Sequence, residues 1–301
     1  MASGVGIVVV GRNEGERLRL CLVALSDQLT QTVYVDSGSN DGSLELARSM
    51  GAKALALDPS RPFTAARARN EGFKRLLEAW PGTEFVQFVD GDSMVRPGWL
   101  ERAAEFLRDN PKVAVVCGRL RERNPDASVY NRLCDIEWDQ PIGVVETSGG
   151  IAMVRAEAFT GAGGFAENLI AGEEPDLCFR MRQRGWVIQR MPYEMALHDA
   201  AMFRFRQWWQ RSKRSGFADA EAYKRRGDFD RRLRRRVLSN LFWGSPLGWP
   251  LWPLLWVRMF RRAGALYAAH IVLGKVPNLL GQIGYFNTQY RGLNPSLIEH
   301  K

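Results

Sequence analysis

Asp90 and Asp92 stand two residues apart at the end of an apolar run, Phe85 to Val89. In extended backbone alternate side chains share a face, so both carboxylates point to one side. Two hard oxygen ligands so placed suit Mg²⁺ or Mn²⁺ shared with substrate phosphates. An isolated Asp-x-Asp is also a common solvated turn, and both readings stand on the pair alone. Glu173, Glu174 and Asp176 flank Pro175 at a predicted helix start, where the helix dipole favours acids without any catalytic purpose. Asp176 also lies four residues before Arg180, the spacing of an ordinary helical ion pair. His198 is one of three histidines; the other two, His270 and His300, lie in a compositionally distinct C-terminal part. Neither a Ser-His-Asp nor a Cys-His arrangement is evident.

The elements that must carry these residues alternate. Val5 to Val10 reads as a strand buried on both faces, and Gly11-Arg12-Asn13-Glu14 opens a helical stretch. Further strands are predicted at Thr32 to Val35, Ala52 to Leu57, Phe85 to Val89, Val113 to Cys117, Ile151 to Val154 and Trp186 to Gln189. Between them Ser43 is expected to cap a helix closed by Gly51, Thr64 one reaching Trp80, and Pro97 to open a third ending near Asp109. Such alternation predicts an α/β fold, a mostly parallel sheet with helices on both faces. In open sheets of this kind ligands bind beyond the carboxyl ends of the strands, where Glu14, Asp36, Asp90 and Asp92 fall. Arg119 to Thr147 carries only a weak pattern.

The order of the motifs is more specific than any one of them. Val8-Val9-Val10-Gly11-Arg12-Asn13-Glu14, Val33-Tyr34-Val35-Asp36-Ser37-Gly38, Ala68-Arg69-Asn70, Phe88-Val89-Asp90-Gly91-Asp92, Gly172-Glu173-Glu174-Pro175-Asp176-Leu177 and His198 follow one another at the spacing of family 2 glycosyltransferases. Over roughly its first 210 residues the chain resembles that family, which implies a GT-A fold and an inverting, metal-dependent sugar transferase. The resemblance implies that Arg12, Asn13, Glu14 and Asp36 cradle the base and ribose of a nucleotide-sugar, and that Arg69 lies near the base or diphosphate. A helix arginine paired to a nearby acid explains Arg69 equally well. It further implies that Asp90 reaches the ribose, that Asp92 and His198 hold Mg²⁺ or Mn²⁺, and that Glu174, where the family usually has Asp, is the general base. Many members carry a second Asp where this chain has Ser37, so the base of the donor stays open.

The chemistry asks for these residue types. Moving a sugar onto an alcohol requires a carboxylate to take the acceptor proton and a cation to hold the charge on the departing diphosphate.

With 301 residues, 46% hydrophobic and 25% charged, the composition is globular rather than disordered. The net charge of +9 is local: residues 201–240 hold 13 bases against 4 acids, and the rest balances at 29 of each. One cationic surface facing an anionic partner is implied. Four scattered cysteines indicate neither a zinc site nor a disulfide framework and fit a reducing, cytoplasmic setting, and the N-terminal residues lack the basic region of a signal peptide.

The last third differs in kind. Residues 237–257 carry no charge over 21 positions, follow the run Arg231 to Arg236, and contain Trp243, Trp249, Trp252 and Trp256. Pro246, Pro250 and Pro253 argue against one straight span, so residues 231–286 are expected to lie along an anionic membrane surface, with Ala265 to Leu273 and Leu279 to Phe286 as further apolar contacts. The helix predicted after His198 places Phe205, Trp208, Trp209 and Ser212 on one side, either as an ordinary core face or beside cations that meet a diphosphate or lipid.

Two domains are therefore expected: a transferase domain over 1–210 and a basic, apolar appendage over 211–301, peripheral at the inner face of the cell membrane. The acceptor would be a saccharide or lipid-linked, in cell-surface polysaccharide or glycolipid assembly, and nucleic acid is not an expected partner. A nucleotidyltransferase would use the same carboxylates, but Gly11-Arg12-Asn13-Glu14-Gly15 is a poor version of its phosphate loop. A nucleic-acid-binding protein would explain the +9 but not the acidic strand ends.

Overall fold

The computed structural model describes residues 3–169, 171–227 and 229–292. In chain order the elements are β1 Val5–Gly11, α1 Glu16–Val23, β2 Thr32–Asp36, α2 Ser43–Ser49, β3 Lys53–Ala56, α3 Ala65–Ala79, β4 Phe85–Asp90 and β5 Ser93–Val95. There follow α4 Trp99–Asp109, β6 Val113–Glu122, α5 Val129–Trp138, β7 Gly143–Val145, β8 Ala152–Arg155, α6 Ala156–Gly161, α7 Glu173–Gln183 and β9 Val187–His198. The chain closes on α8 Phe205–Arg226, α9 Arg231–Gly244 and α10 Trp252–Tyr290.

It divides into two compact units. One comprises residues 1–123, 138–168 and 173–200; the other comprises 124–137, 169–172 and 201–301.

The first unit is an α/β sheet ordered β3-β2-β1-β4-β8-β6-β9-β5, with β7 added on β9. The β-branched runs of β1, β2 and β4 are buried on both faces, as their continuous hydrophobicity predicts. β3, β2, β1 and β4 pair in parallel, while β8 enters antiparallel between β4 and β6. The sheet is therefore mixed. An antiparallel strand needs no crossover helix, so strict strand-helix alternation does not reveal it.

Local differences from the sequence reading have local causes. Ser43 is the first helical residue of α2, not its cap; Asp41 accepts from both its N–H and its hydroxyl. Pro97 precedes the helix, with Gly98 at φ 77° in the N-cap position of α4. Thr64 does cap α3, accepting from the Arg67 N–H. β9 runs twelve residues, far past Gln189, because its irregular pairing with β6 continues through two polar stretches.

The second unit is helical. Trp208, Ser212 and Phe217 of α8, Leu233 and Val237 of α9, and Ala268, Val272 and Tyr285 of α10 are buried. So the face expected to carry Trp208 and Ser212 is a core face, while Phe205 is 53% exposed. Arg211 of α8 pairs with Glu137, which also receives His270 at 2.7 Å, and Trp208 donates to the other His270 nitrogen. Burial works against the Glu137 charge, yet Arg211 and His270 hold its pKa down at about 2. α10 is two helices joined across non-helical backbone at Ala263 and Gly264. No helix among the described residues is long and apolar enough to cross a membrane.

Candidate active site

Strand register gathers the acidic turns. Gly11 pairs with Asp36 across β1 and β2, and Val10 pairs with Asp90 across β1 and β4, so three strands end level at one edge. Gly91 then steps the chain out: a Cβ there would sit 3.3 Å from the Val10 carbonyl and from Glu14 Cγ. Asp92 follows, and Ser93 pairs with His198 in the antiparallel contact of β5 with β9. The last residue of β9 is thereby brought to the Asp-Gly-Asp turn, and Asp199 N–H donates to the Asp92 carbonyl.

Asp90, Asp92 and His198 each offer a ligand atom within 4.8 Å of the others. His198 Nε2 lies 3.4 Å from Asp92 Oδ1, and the edge of Trp138 packs on its ring. His198 Nδ1 is buried without a hydrogen-bond partner, and two carboxylates with one imidazole form a donor set suited to Mg²⁺ or Mn²⁺. The residues fit such an ion.

Arg69 sits beneath this cluster, 4% exposed. It donates to Asp90 Oδ1 at 2.7 Å and to Glu173 Oε1 at 2.9 Å, tying the start of α7 to the end of β4. Burial opposes its charge, but the two carboxylates raise its pKa above the ordinary arginine value. Its partners are those of a paired helix arginine, deep in the unit rather than on its surface.

Glu174 is buried. Its Oε1 accepts from Ser148 N–H at 2.7 Å, the Ser148 hydroxyl at 2.9 Å and Cys178 Sγ at 2.9 Å. Burial raises its pKa against the pull of those donors. Asp176 makes the ion pair its spacing predicts, at 2.8 Å, and Arg180 also binds the carbonyls of Ala162 and Gly164. Asp176 thus anchors the glycine turn before α7.

The turns after β1 and β2 are stapled together. Asn13, at φ 54°, accepts from Asn40 N–H and donates its own N–H to Ser39, while Gly15 N–H binds Asp41. Asp36 is 3% exposed and accepts from Gly38, Ser39 and the Tyr34 hydroxyl. Its carboxylate shapes the turn. Glu14 is buried and paired with Arg17 at 2.6 Å, whereas Arg12 is exposed, its guanidinium 5.9 Å from the Phe63 ring centre. Asn70 pins Phe165 and Glu167 by three hydrogen bonds.

Sequence reasoning misses Ser148, Cys178, Asp41 and Trp138. The one sequence signal that could have marked this spot is the Gly149-Gly150 pair beside Ser148: a Cβ at Gly150 would meet Arg69 at 3.2 Å and Asp90 at 3.4 Å.

The sheet gathers this cluster at the carboxyl ends of its strands on an α/β scaffold, and comparison with known proteins identifies the family of that scaffold. The model of the family "Glycosyl transferase family 2" matches residues 6–158, and that of "Glycosyl transferase family group 2" matches 85–280. The chain belongs to glycosyl transferase family 2. It is 29% identical over 208 residues to a pre-mycofactocin glycosyltransferase of Mycobacterium tuberculosis, 65% of this chain and 42% of that one. It is 24% identical over 214 residues to glycosyltransferase AglE of Haloferax volcanii, 66% of this chain and 68% of the relative. The chain spans less than half the length of the first of these. Among solved structures, a mannosyltransferase from Pyrobaculum calidifontis, in complex with GDP-Man and Mn²⁺, shares the GT-A fold. Its TM-score is 0.64 at 18% identity, over 95% of this chain and 88% of that one.

Proposed function

We propose that this chain transfers a sugar, with inversion, from a nucleotide-sugar to an acceptor hydroxyl. The observation that carries the reading is the convergence of Asp90, Asp92 and His198 within 4.8 Å at the carboxyl ends of the strands. The donor class and the divalent ion are carried over from the mannosyltransferase of similar fold, held with GDP-Man and Mn²⁺.

Arg12, Asn13 and Glu14 line the base and ribose from the first turn, with Asp36 shaping the second, and Asp90 meets the ribose. Asp92 and His198 would hold Mg²⁺ or Mn²⁺, which when bound would supply positive charge to offset that of the leaving diphosphate. Glu174 takes the proton of the acceptor hydroxyl. The acceptor oxygen bonds the anomeric carbon as the bond to the diphosphate breaks on the opposite face, and the nucleoside diphosphate leaves with that electron pair. A carboxyl group whose pKa is raised by burial is a stronger base once ionised. Arg69 positions Asp90 and Glu173 beside the base or diphosphate of the donor. The acceptor is a saccharide or lipid-linked sugar of cell-surface assembly; an O-antigen chain rhamnosyltransferase of Salmonella typhimurium, 25% identical over 178 residues, supports that context.

A thermal-shift screen of UDP-, GDP- and dTDP-sugars with Mn²⁺ or EDTA tests the proposal. One donor at 100 times its Kd should stabilise the protein by about 2.7 kcal/mol, and only with metal. Equal curves for every donor in both buffers would overturn it.

A further inference from the structure

We propose that the arginine-flanked apolar face running from α9 through residues 245–251 into the first turns of α10 docks on an anionic lipid bilayer. The inference concerns the second unit alone and does not rest on the transferase reading.

α9 has two faces, and only one is used inside the unit. Leu233, Val237, Asn240 and Gly244, at helical spacings of four, three and four, are buried. Arg231, Arg234, Arg235, Leu238, Leu241 and Phe242 recur at the same spacing on the exposed side. That stripe is cationic for its first turn and apolar for the next two. Leu238 is 48% and Leu241 53% exposed, adjacent on the same stripe.

The apolar exposure continues past the helix end. Leu247 is 80%, Trp249 47%, Leu254 66% and Phe260 51% exposed. Trp249 and Trp252 donate their indole N–H groups to the carbonyls of Gly244 and Trp243. Their polar handles are thus satisfied within the chain, which removes the penalty for taking the rings into an apolar boundary.

Charge identifies the occupant. Residues 231–262 contain eight arginines and no Asp or Glu, and the arginines cluster at both ends, Arg231 to Arg236 and Arg258 to Arg262, around an uncharged middle. Cation, apolar, cation is complementary to anionic headgroups over acyl chains, each arginine adding attraction near such a surface. Prolines at 246, 250 and 253 break the segment, so it lies in the interface rather than crossing it. The helix of this face breaks at Ala263 and Gly264. Beyond it the expected contacts of Ala265 to Leu273 and Leu279 to Phe286 are divided, with Ala268, Val272, Leu279 and Tyr285 buried and Leu273, Leu280, Ile283 and Phe286 exposed.

The full chain should float with vesicles containing 30% phosphatidylglycerol, and weakly with pure phosphatidylcholine. Exposed positions make fold-neutral probes: Leu247→Asp with Leu254→Asp, or Arg234→Glu with Arg235→Glu, should each cut partitioning at least about tenfold while leaving the thermal unfolding curve in place. All four native cysteines are buried, so an environment-sensitive dye on Leu247→Cys reports that site. Its emission should shift blue on adding anionic vesicles, while the same dye on Lys74→Cys of the first unit should not respond. Failure to float, flotation indifferent to the paired variants, an unresponsive dye at 247, or concentration-dependent dimerisation without lipid that hides the dye would each overturn the proposal, the last by assigning the face to a second copy.

Discussion

In the first unit, long β-branched strands are buried on both faces and the charged side chains collect where those strands end; in the second, helices close on glycines and a few aromatic rings. A Cβ at Gly216 would collide with the Asn278 carbonyl, and one at Gly281 with the Lys213 carbonyl, so α8 and α10 meet backbone to backbone. The contrast separates two ways of placing chemistry. A sheet fixes carboxylates by register, so that Asp36 and Asp90 end level because Gly11 and Val10 are their partners. A helix pair fixes faces by volume, so an added methyl displaces a whole surface.

The largest effect expected is in the first unit. Asp92→Ala should abolish metal-dependent nucleotide-sugar binding while leaving the fold intact, as read by calorimetry with and without EDTA. Donor affinity indifferent to both changes would remove Asp92 from the ion. Glu174→Gln should keep donor affinity and lose roughly 10²–10⁴ in turnover. An active Glu174→Gln beside an inactive Glu173→Gln would move the base by one residue. The pH profile sharpens this assignment: with the Glu174 pKa raised by burial, activity should rise with pH through a value above the usual carboxylate range. Ser148→Ala removes the hydroxyl donor that favours the ionised form while keeping the backbone N–H, so that rise should move to still higher pH.

Next comes Arg69→Met. It strands Asp90 and Glu173 and should cost about 3 kcal/mol in unfolding free energy, with Arg69→Lys a poor rescue because one ammonium cannot serve both carboxylates in fork geometry. Gly281→Ala tests the other unit, where forcing the helices apart should cost about 2–3 kcal/mol with donor binding untouched. A neutral result would mean that the second unit tolerates separation of its helices and does not depend on their close approach. The smallest effect is Thr64→Ala, about 1 kcal/mol for the lost cap of α3, read as a lower midpoint in denaturant.

Much of the first unit was legible because its signals are local. Continuous β-branched runs announce buried strands, and acids after them announce the strand ends. The three-stranded meeting of β5, β6 and β9 was not legible, since pairing between distant strands leaves no periodicity in any of them. Ser148 was hidden for a related reason: its partner Glu174 lies across a loop whose pattern is weak, and only two glycines marked the spot. The second unit concealed its packing in the opposite manner. Gly216 and Gly281 matter only through the neighbouring backbone they admit, and Lys275 is half-buried, its pKa lowered by desolvation to about 8 although Asp219 favours its charge.

The pairing of Ser93 with His198 also dictates a sequence of events in folding. The parallel half of the sheet is made of strands close along the chain, whereas Asp92 and His198 are separated by about a hundred residues, and closing so long a loop is entropically slow. During synthesis β1 to β4 can pair while β9 is still unmade. The cluster of Asp90, Asp92 and His198 is therefore expected to form late in folding, after the early strands have paired. An ion captured there would bind the finished sheet and not its precursors, so its affinity would count entirely toward holding β9 and β5 in place.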